Sequence, residues 1–104
     1  MDAQLKRGFL EVCVLASISQ HDSYGYQIVK DMPPSLQITE STLYPLLKRL
    51  EAAGALTTYS VEHSGRRRKY YRITSDGLAR IDEFLAEWAD IESLYEYVKR
   101  GVGR

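Results

Sequence analysis

A chain of 104 residues with 14 Lys/Arg against 14 Asp/Glu, and so a formal net charge of zero, fits one globular domain and excludes a polyelectrolyte that adheres generally to charged surfaces. The single cysteine, Cys13, lies in the apolar run FLEVCVLASI, which excludes an internal disulfide and marks it as a small buried hydrophobe. The opening MDAQLKRGF is not a signal peptide, and no apolar run is long enough to span a bilayer, so a soluble protein of a reducing cytoplasm is expected.

Residues 5–19 are apolar at 5, 9, 10, 12–16 and 18. That run is too long for a strand and predicts a helix buried on most sides. Asp22 or Ser23 is placed to cap a short helix over YGYQIVKDM, which Pro33 and Pro34 stop. Thr39 is the next N-cap, opening ESTLYPLLKRLEAAG, where Leu43, Leu46, Leu47 and Leu50 form an inward stripe. Gly54 stands where a glycine ends a helix. The period then changes. ALTTYSVE and RKYYRIT are rich in Thr, Tyr, Val and Ile and flank a Ser-Gly turn, predicting a β-hairpin with HSGRR at its tip. Tyr71 and Ile73 are assigned to the core face, Tyr70 and Arg72 to the outer one. Ser75 is expected to cap a long helix reaching about Lys99, with Asp76 favouring its dipole, and Gly101–Arg104 are expected to fray. Along this helix Ile81, Phe84, Trp88, Ile91, Tyr95 and Val98 recur in steps of three and four, a heptad seam. Leu78, Leu85 and Leu94 add a flanking stripe.

Three helices, a hairpin and a long helix make a mainly α fold with a small β-hairpin: a winged helix-turn-helix over residues 1–74, and a C-terminal dimerisation helix and tail over 75–104, in one compact unit. Charge is segregated within it. Residues 1–75 carry ten Lys/Arg and seven Asp/Glu, whereas 76–104 carry four and seven. Five cations, Arg66, Arg67, Arg68, Lys69 and Arg72, fall within seven residues on the expected hairpin. Once Tyr71 and Ile73 pack inward no apolar face remains for lipid, which excludes a membrane patch. An arginine-rich wing beside a helix-turn-helix instead suits the phosphate backbone or minor groove of duplex DNA. Gly65, Arg66, Arg67, Arg68, Lys69 and Tyr70 are therefore the candidate wing contacts. The recognition helix would present Ser41, Thr42, Tyr44, Pro45, Lys48 and Arg49, with small hydroxyls at the helix N-terminus for base edges and phosphates. Tyr24 is a further candidate contact. Pro45 is either a tolerated kink or a bend that tunes the approach to the groove.

The pieces YGYQI at 24–28, ESTLYPLLKRLEAAG at 40–54 and GRRRKYYRIT at 65–74 resemble, in order and spacing, the PadR family of bacterial transcriptional regulators, over roughly residues 5–100. The single C-terminal helix resembles the family's short subgroup. Arg67 departs from the proline that members often carry in the wing. The resemblance implies a homodimeric repressor bound to a palindromic operator, localised in the bacterial cytoplasm and at the nucleoid when bound. Leu5 and Phe9 of the first helix would join the seam residues Ile81, Phe84, Trp88, Ile91, Tyr95 and Val98 in the dimer interface, with half-sites roughly 34 Å or a multiple of it apart. FLAEWADIESL further resembles the matching helix of a lactococcal multidrug-responsive member, in which paired tryptophans sandwich flat aromatic compounds. That implies a planar aromatic ligand at Trp88, with Ile91, Phe9 and Val12 as walls and Leu5 close by. Glu87 and Asp90 would favour a cationic one. The alternative is that Trp88 only fills the interface.

No enzyme is expected. His21 and His63 are isolated, no nucleophile has a base at recognisable spacing, and the carboxylates of the last helix are scattered. No metal or other cofactor is implied. The rival from another class is a winged-helix protein-interaction module without sequence-specific DNA binding.

Overall fold

The computed structural model describes residues 2–103. Four α-helices and one hairpin follow in the order α1 (Ala3–Ser17), α2 (Gly25–Asp31), α3 (Glu40–Ala52), β1 (Leu56–His63), β2 (Arg66–Ile73) and α4 (Ser75–Gly101). A 3-10 turn at Pro34–Leu36 joins α2 to α3. The expected fold class, a winged helix-turn-helix with a long last helix, is the one observed.

The helix ends show why these segments stop where they do. The Asp2 carboxylate accepts the Leu5 N–H at 3.1 Å and opens α1. The Thr39 hydroxyl caps α3 by accepting the Thr42 N–H. Gly54, at φ 79°, ends α3 in a left-handed turn in which its N–H reaches Glu51 O and the Ala55 N–H reaches Leu50 O. Two expected caps are corrected. α2 begins after Tyr24 with no side-chain cap; the Asp22 carboxylate is engaged by Tyr59 and Arg72, and the Ser23 backbone is paired with Tyr71. α4 is capped by Thr74, not Ser75. The Thr74 hydroxyl accepts the Gly77 N–H and donates to Gly54 O at 2.6 Å, so one side chain both starts α4 and ties it to the end of α3.

The core gathers Leu10, Val14 and Leu15 of α1, Ile18, Ile28 of α2, Met32, Leu36, the four leucines of α3, Ala55, Leu56 and Tyr71. The inward stripe of α3 is as expected, with Leu43, Leu46, Leu47 and Leu50 all buried. α1 is not buried on most sides. Only Leu10, Val14 and Leu15 are enclosed, and Leu5 is half exposed. The rest of its apolar surface turns toward α4 or solvent. α4 packs on α1 near its own start and then leaves the body. Every residue from Leu85 to Gly103 is exposed, the seam positions Ile91, Tyr95 and Val98 among them. Arg104, the end of the segment expected to fray, lies outside the described residues; Gly101 still belongs to α4.

The hairpin turns on Ser64 and Gly65, both with positive φ (52° and 78°), in the mirror-image turn that matches strand twist. The tip is therefore two residues, not the five of HSGRR, and β2 begins at Arg66, paired with His63. A third piece of backbone joins this sheet. Ser23 bridges Tyr71, accepting its N–H at 2.7 Å and donating back at 3.2 Å.

Candidate nucleic-acid interface

The alternation of β2 splits the basic run between two faces. Arg66, Arg68, Tyr70 and Arg72 share one, and Arg67, Lys69, Tyr71 and Ile73 the other. The run was expected on the hairpin tip and its outer face, and the structure places Arg67 and Lys69 on the other face. Tyr71 is buried, Ile73 packs on the core, and Tyr70 and Arg72 point away from it, as expected.

On the outer face a ladder of rings and cations fixes the wing. The Arg68 guanidinium lies 4.2 Å from the centroid of the Tyr24 ring. Tyr24 meets Tyr70 edge-on at 5.6 Å, Tyr70 stacks on Tyr59 at 5.5 Å, and Arg72 covers Tyr59 at 4.9 Å. Asp22 closes the ladder. Its carboxylate accepts the Tyr59 hydroxyl at 2.5 Å and the Arg72 Nε–H at 3.1 Å. These bonds, the tyrosine's first and then the arginine's, hold the Asp22 carboxyl below the usual carboxylate range, and the same bond raises the Tyr59 phenol. The charge of Arg72 is thus spent inside the fold. Arg66, Arg67 and Lys69 make no ion pair among the described residues and stand exposed at the wing.

The inner face of the wing looks across a groove of about 480 Å³ toward α3, lined by Tyr24, Gly25, Tyr26, Glu40, Tyr44, Arg67, Arg68, Lys69 and Tyr71. The ring of Tyr44 lies over Gly25, where a Cβ would come within 2.5 Å of its hydroxyl. Glycine is needed there for α3 to seat against α2. At the start of α3 the hydroxyls of Ser41 and Thr42 lie 3.0 and 3.2 Å from the Thr39 hydroxyl, forming a small polar cluster at the helix N-terminus. Pro45 sits inside an uninterrupted α3 and is exposed. Lys48 is exposed on the same side. Arg49 turns to α1 instead, with its guanidinium 3.6 Å from Glu11. Of these residues Tyr44 lines the groove with the wing cations Arg67, Arg68 and Lys69, and Ser41, Thr42, Pro45 and Lys48 are exposed on α3.

A second concavity lies at the other end of the body. Leu5 and Phe9 of α1 and Phe84, Trp88 and Ile91 of α4 line a largely apolar cleft of about 430 Å³, with Asp2 and Glu87 among its lining residues. Phe9 meets Phe84 and Trp88 edge-on, each at 5.5 Å, and Phe84 stacks near Trp88 at 6.1 Å. Trp88 remains 37% exposed, so one aromatic face is open. Val12 and Asp90, expected near this site, are not among its lining residues.

Two features were missed by sequence reasoning, the Asp22 clamp and the Glu11 ion pairs. Their partners lie 37 to 69 residues apart, and no local pattern announces them. Cys13, expected to be buried, is partly buried, and that burial raises its thiol; the described residues hold no cluster of metal-ligating side chains.

Comparison with known proteins agrees with this geometry. The model of the transcriptional regulator PadR-like family matches residues 14–83. An uncharacterised protein of Lysinibacillus sphaericus is 38% identical over 101 residues, covering 92% of this chain and 93% of that one. The crystal structure of a Streptococcus transcriptional regulator is 32% identical with a TM-score of 0.81, covering 94% of this chain and 99% of that one. Bacillus subtilis PadR, in a crystal structure with operator DNA, shares the fold at 23% identity and a TM-score of 0.68, over 74% of this chain and 46% of that one.

Proposed function

The chain belongs to the PadR-like family of transcriptional regulators, and on that premise we propose that it is a homodimeric repressor that binds a palindromic duplex-DNA operator and is released by a planar aromatic ligand. The observation that carries the DNA reading is the shared groove. Arg67 and Lys69, without an ion pair among the described residues, line one groove with Glu40 and Tyr44 of α3, and Arg66 stands exposed at the start of β2. Wing cations supply backbone contact without sequence information, and Ser41, Thr42 and Tyr44 supply base-edge contact. Lys48 reaches the backbone a turn further on. Gly65 keeps the tip narrow, Tyr70 and Tyr24 hold Arg68 in place, and Pro45 bounds the helix face. The fold shared with Bacillus subtilis PadR, whose crystal structure contains operator DNA, supports this use of the fold.

Residues 1–74 act as the DNA-binding part and 75–104 as the dimerisation part of one unit. The partner would cover Leu5 and Phe9 of α1 and the α4 seam from Ile81 to Val98. Uncovered side chains such as Leu94 (66% exposed), Tyr95 and Val98 form a larger apolar strip than a soluble monomer ordinarily leaves in water. Two such helices pairing bring two copies of Trp88 together, and a flat ligand would slide between them and the walls Phe9 and Ile91. No helix among the described residues is long and apolar enough to cross a membrane, in keeping with a cytoplasmic regulator that sits on the nucleoid when bound.

The deciding experiment measures the protein on a labelled fragment from upstream of its own gene against a scrambled fragment, across a salt series. Operator recognition gives a preference of about a thousandfold or more. Equal binding to both fragments removes the operator reading for that site, and no binding to either favours the protein-interaction module.

A further inference from the structure

Glu11 sits midway along α1, with its side chain only one-fifth exposed. Its two carboxylate oxygens serve two different elements. Oε2 accepts from Arg80 Nη2 of α4 at 3.1 Å, and Oε1 lies 3.6 Å from Arg49 Nη2 of α3. One acidic side chain thus joins the recognition helix to the base of the helix that carries Trp88.

Arg49 presents a planar fork of N–H donors and no acceptor. What varies is the anion it faces. It lies one residue beyond Lys48 on α3, and its side chain is 45% exposed, so it keeps access to solvent and to any phosphate that arrives. Glu11 is the anion it already has. We infer that Glu11 is a positioning residue which competes with the DNA backbone for Arg49 and so holds one cation of the recognition helix out of the DNA contact. This inference rests on the DNA-binding reading above. Arg80 keeps the carboxylate in place. It takes the nearer oxygen, and the hold on Arg49 is the looser of the two. The effect of such a pair on binding is small, since a partly exposed ion pair changes an equilibrium by no more than about fivefold.

The test needs no known operator, because phosphate contact is read on any duplex. Binding to a duplex of random sequence is measured across a salt series for the wild type, Glu11→Gln, Arg49→Ala, the double variant and Arg80→Ala. Releasing Arg49 adds one phosphate contact, so Glu11→Gln steepens the log–log salt slope by about 0.9 and tightens low-salt binding roughly two- to fivefold. Arg49→Ala in the wild type leaves the slope where it was, and in the double variant it cancels the gain. Arg80→Ala breaks the same α1–α4 bridge without freeing Arg49, so it gives no steepening, which separates sequestration from a structural effect. An unchanged slope in Glu11→Gln overturns the inference. So does a slope that falls by about 0.9 in Arg49→Ala alone, since Arg49 would then already be on a phosphate. If Glu11→Gln does not fold, Arg49→Ala decides by itself. A wild type with no salt-dependent binding to any duplex is a different result. It removes the DNA reading, and the inference with it.

Discussion

Gly77→Ala sets two opposing effects against each other at the joint between the wing and α4. In an open helix the change favours folding by about 1 kcal/mol, because alanine is the better helix former. Gly77 is not in open space. It is the one buried residue of α4, and a Cβ there overlaps the carbonyl oxygen of Ala55 and comes within 2.6 Å of Ile73 Cγ1, where ordinary contact begins near 3.4 Å. The Ala55 carbonyl is backbone, and it accepts the Thr74 N–H at 3.1 Å. It cannot yield without straining that bond and the adjacent Thr74 hydroxyl bond to Gly54. Overpacking costs about 1–3 kcal/mol, and an unsatisfied buried backbone group costs a similar amount. Set against the helix gain, the net loss is about 2–3 kcal/mol, or a fall in Tm of roughly 10–20 °C for a domain of this size. The assay is thermal and urea unfolding followed by far-UV circular dichroism, at one fixed chain concentration, because the proposed dimer would make Tm depend on it. An unchanged or higher Tm refutes the reasoning, since helix propensity would then outweigh contact at this joint.

Arg66→Ala lowers affinity for operator and random DNA alike and makes the salt slope shallower by about 0.9, whereas Thr42→Ala narrows the gap between the two DNAs with little change of slope; the reverse pattern would exchange the roles assigned to wing and helix. Ile91→Glu places carboxylates on the exposed α4 seam and converts the dimer to monomer in sedimentation velocity, and a wild type that is already monomeric at every concentration sinks the dimer reading. Titrating a planar cationic dye quenches Trp88 fluorescence saturably, and Phe9→Ala, which removes the edge-on ring beside Trp88, weakens the dye up to about tenfold; linear, unsaturated quenching contradicts a binding cleft. The Asp22 carboxyl is held low in the folded state. Its clamp on Tyr59 and Arg72 is thus fully in place above the ordinary aspartate value near 4 and is lost as pH falls below that through the folded value. The Asp22 side-chain carboxyl carbon shift, followed downward from about pH 5, should have its midpoint below the ordinary aspartate value near 4, and a midpoint at or above that value would refute the clamp.

What the sequence made legible follows the range of the interactions. The leucine stripe of α3, the Thr39 cap, Gly54 and the Ser64–Gly65 turn depend on neighbours within a few residues, and each is observed as expected. The caps of α2 and α4 were misplaced where adjacent polar residues compete. Asp22 offers the right chemistry for capping, but a tyrosine hydroxyl and Arg72 take its carboxylate; Ser23 is held by its backbone on Tyr71, and its buried hydroxyl has no hydrogen-bond partner among the described residues. Thr74 and Ser75 both carry hydroxyls, and Thr74 wins because it also reaches Gly54 O. The apolar richness of α1 was taken for burial on most sides, although much of it is a surface left open beside α4. On the candidate DNA surface, residue types alone suggested the place. They did not show which cations are already committed. That Arg72 and Arg49 have internal partners while Arg66, Arg67 and Lys69 have none is decided by carboxylates far away in the chain.

The formal neutrality of the chain also takes on a physical meaning once its charges are placed. The cations free for DNA lie toward the far end of β2, and a strand of that length carries Arg66 roughly 25 Å from Ile73. The excess acid lies on α4, which leaves the body in another direction. At about 1.5 Å per residue, Glu87, Asp90, Glu92 and Glu96 stand some 18 Å or more along the helix from its start. A Debye length is about 8 Å at physiological salt, so these carboxylates do not cancel the attraction of the wing. They act only where a duplex comes close to α4 itself, and there they repel it. Segregation therefore does what an equal number of mixed charges would not. On the proposed DNA-binding reading, it would leave one attractive end and disfavour approach along the helix.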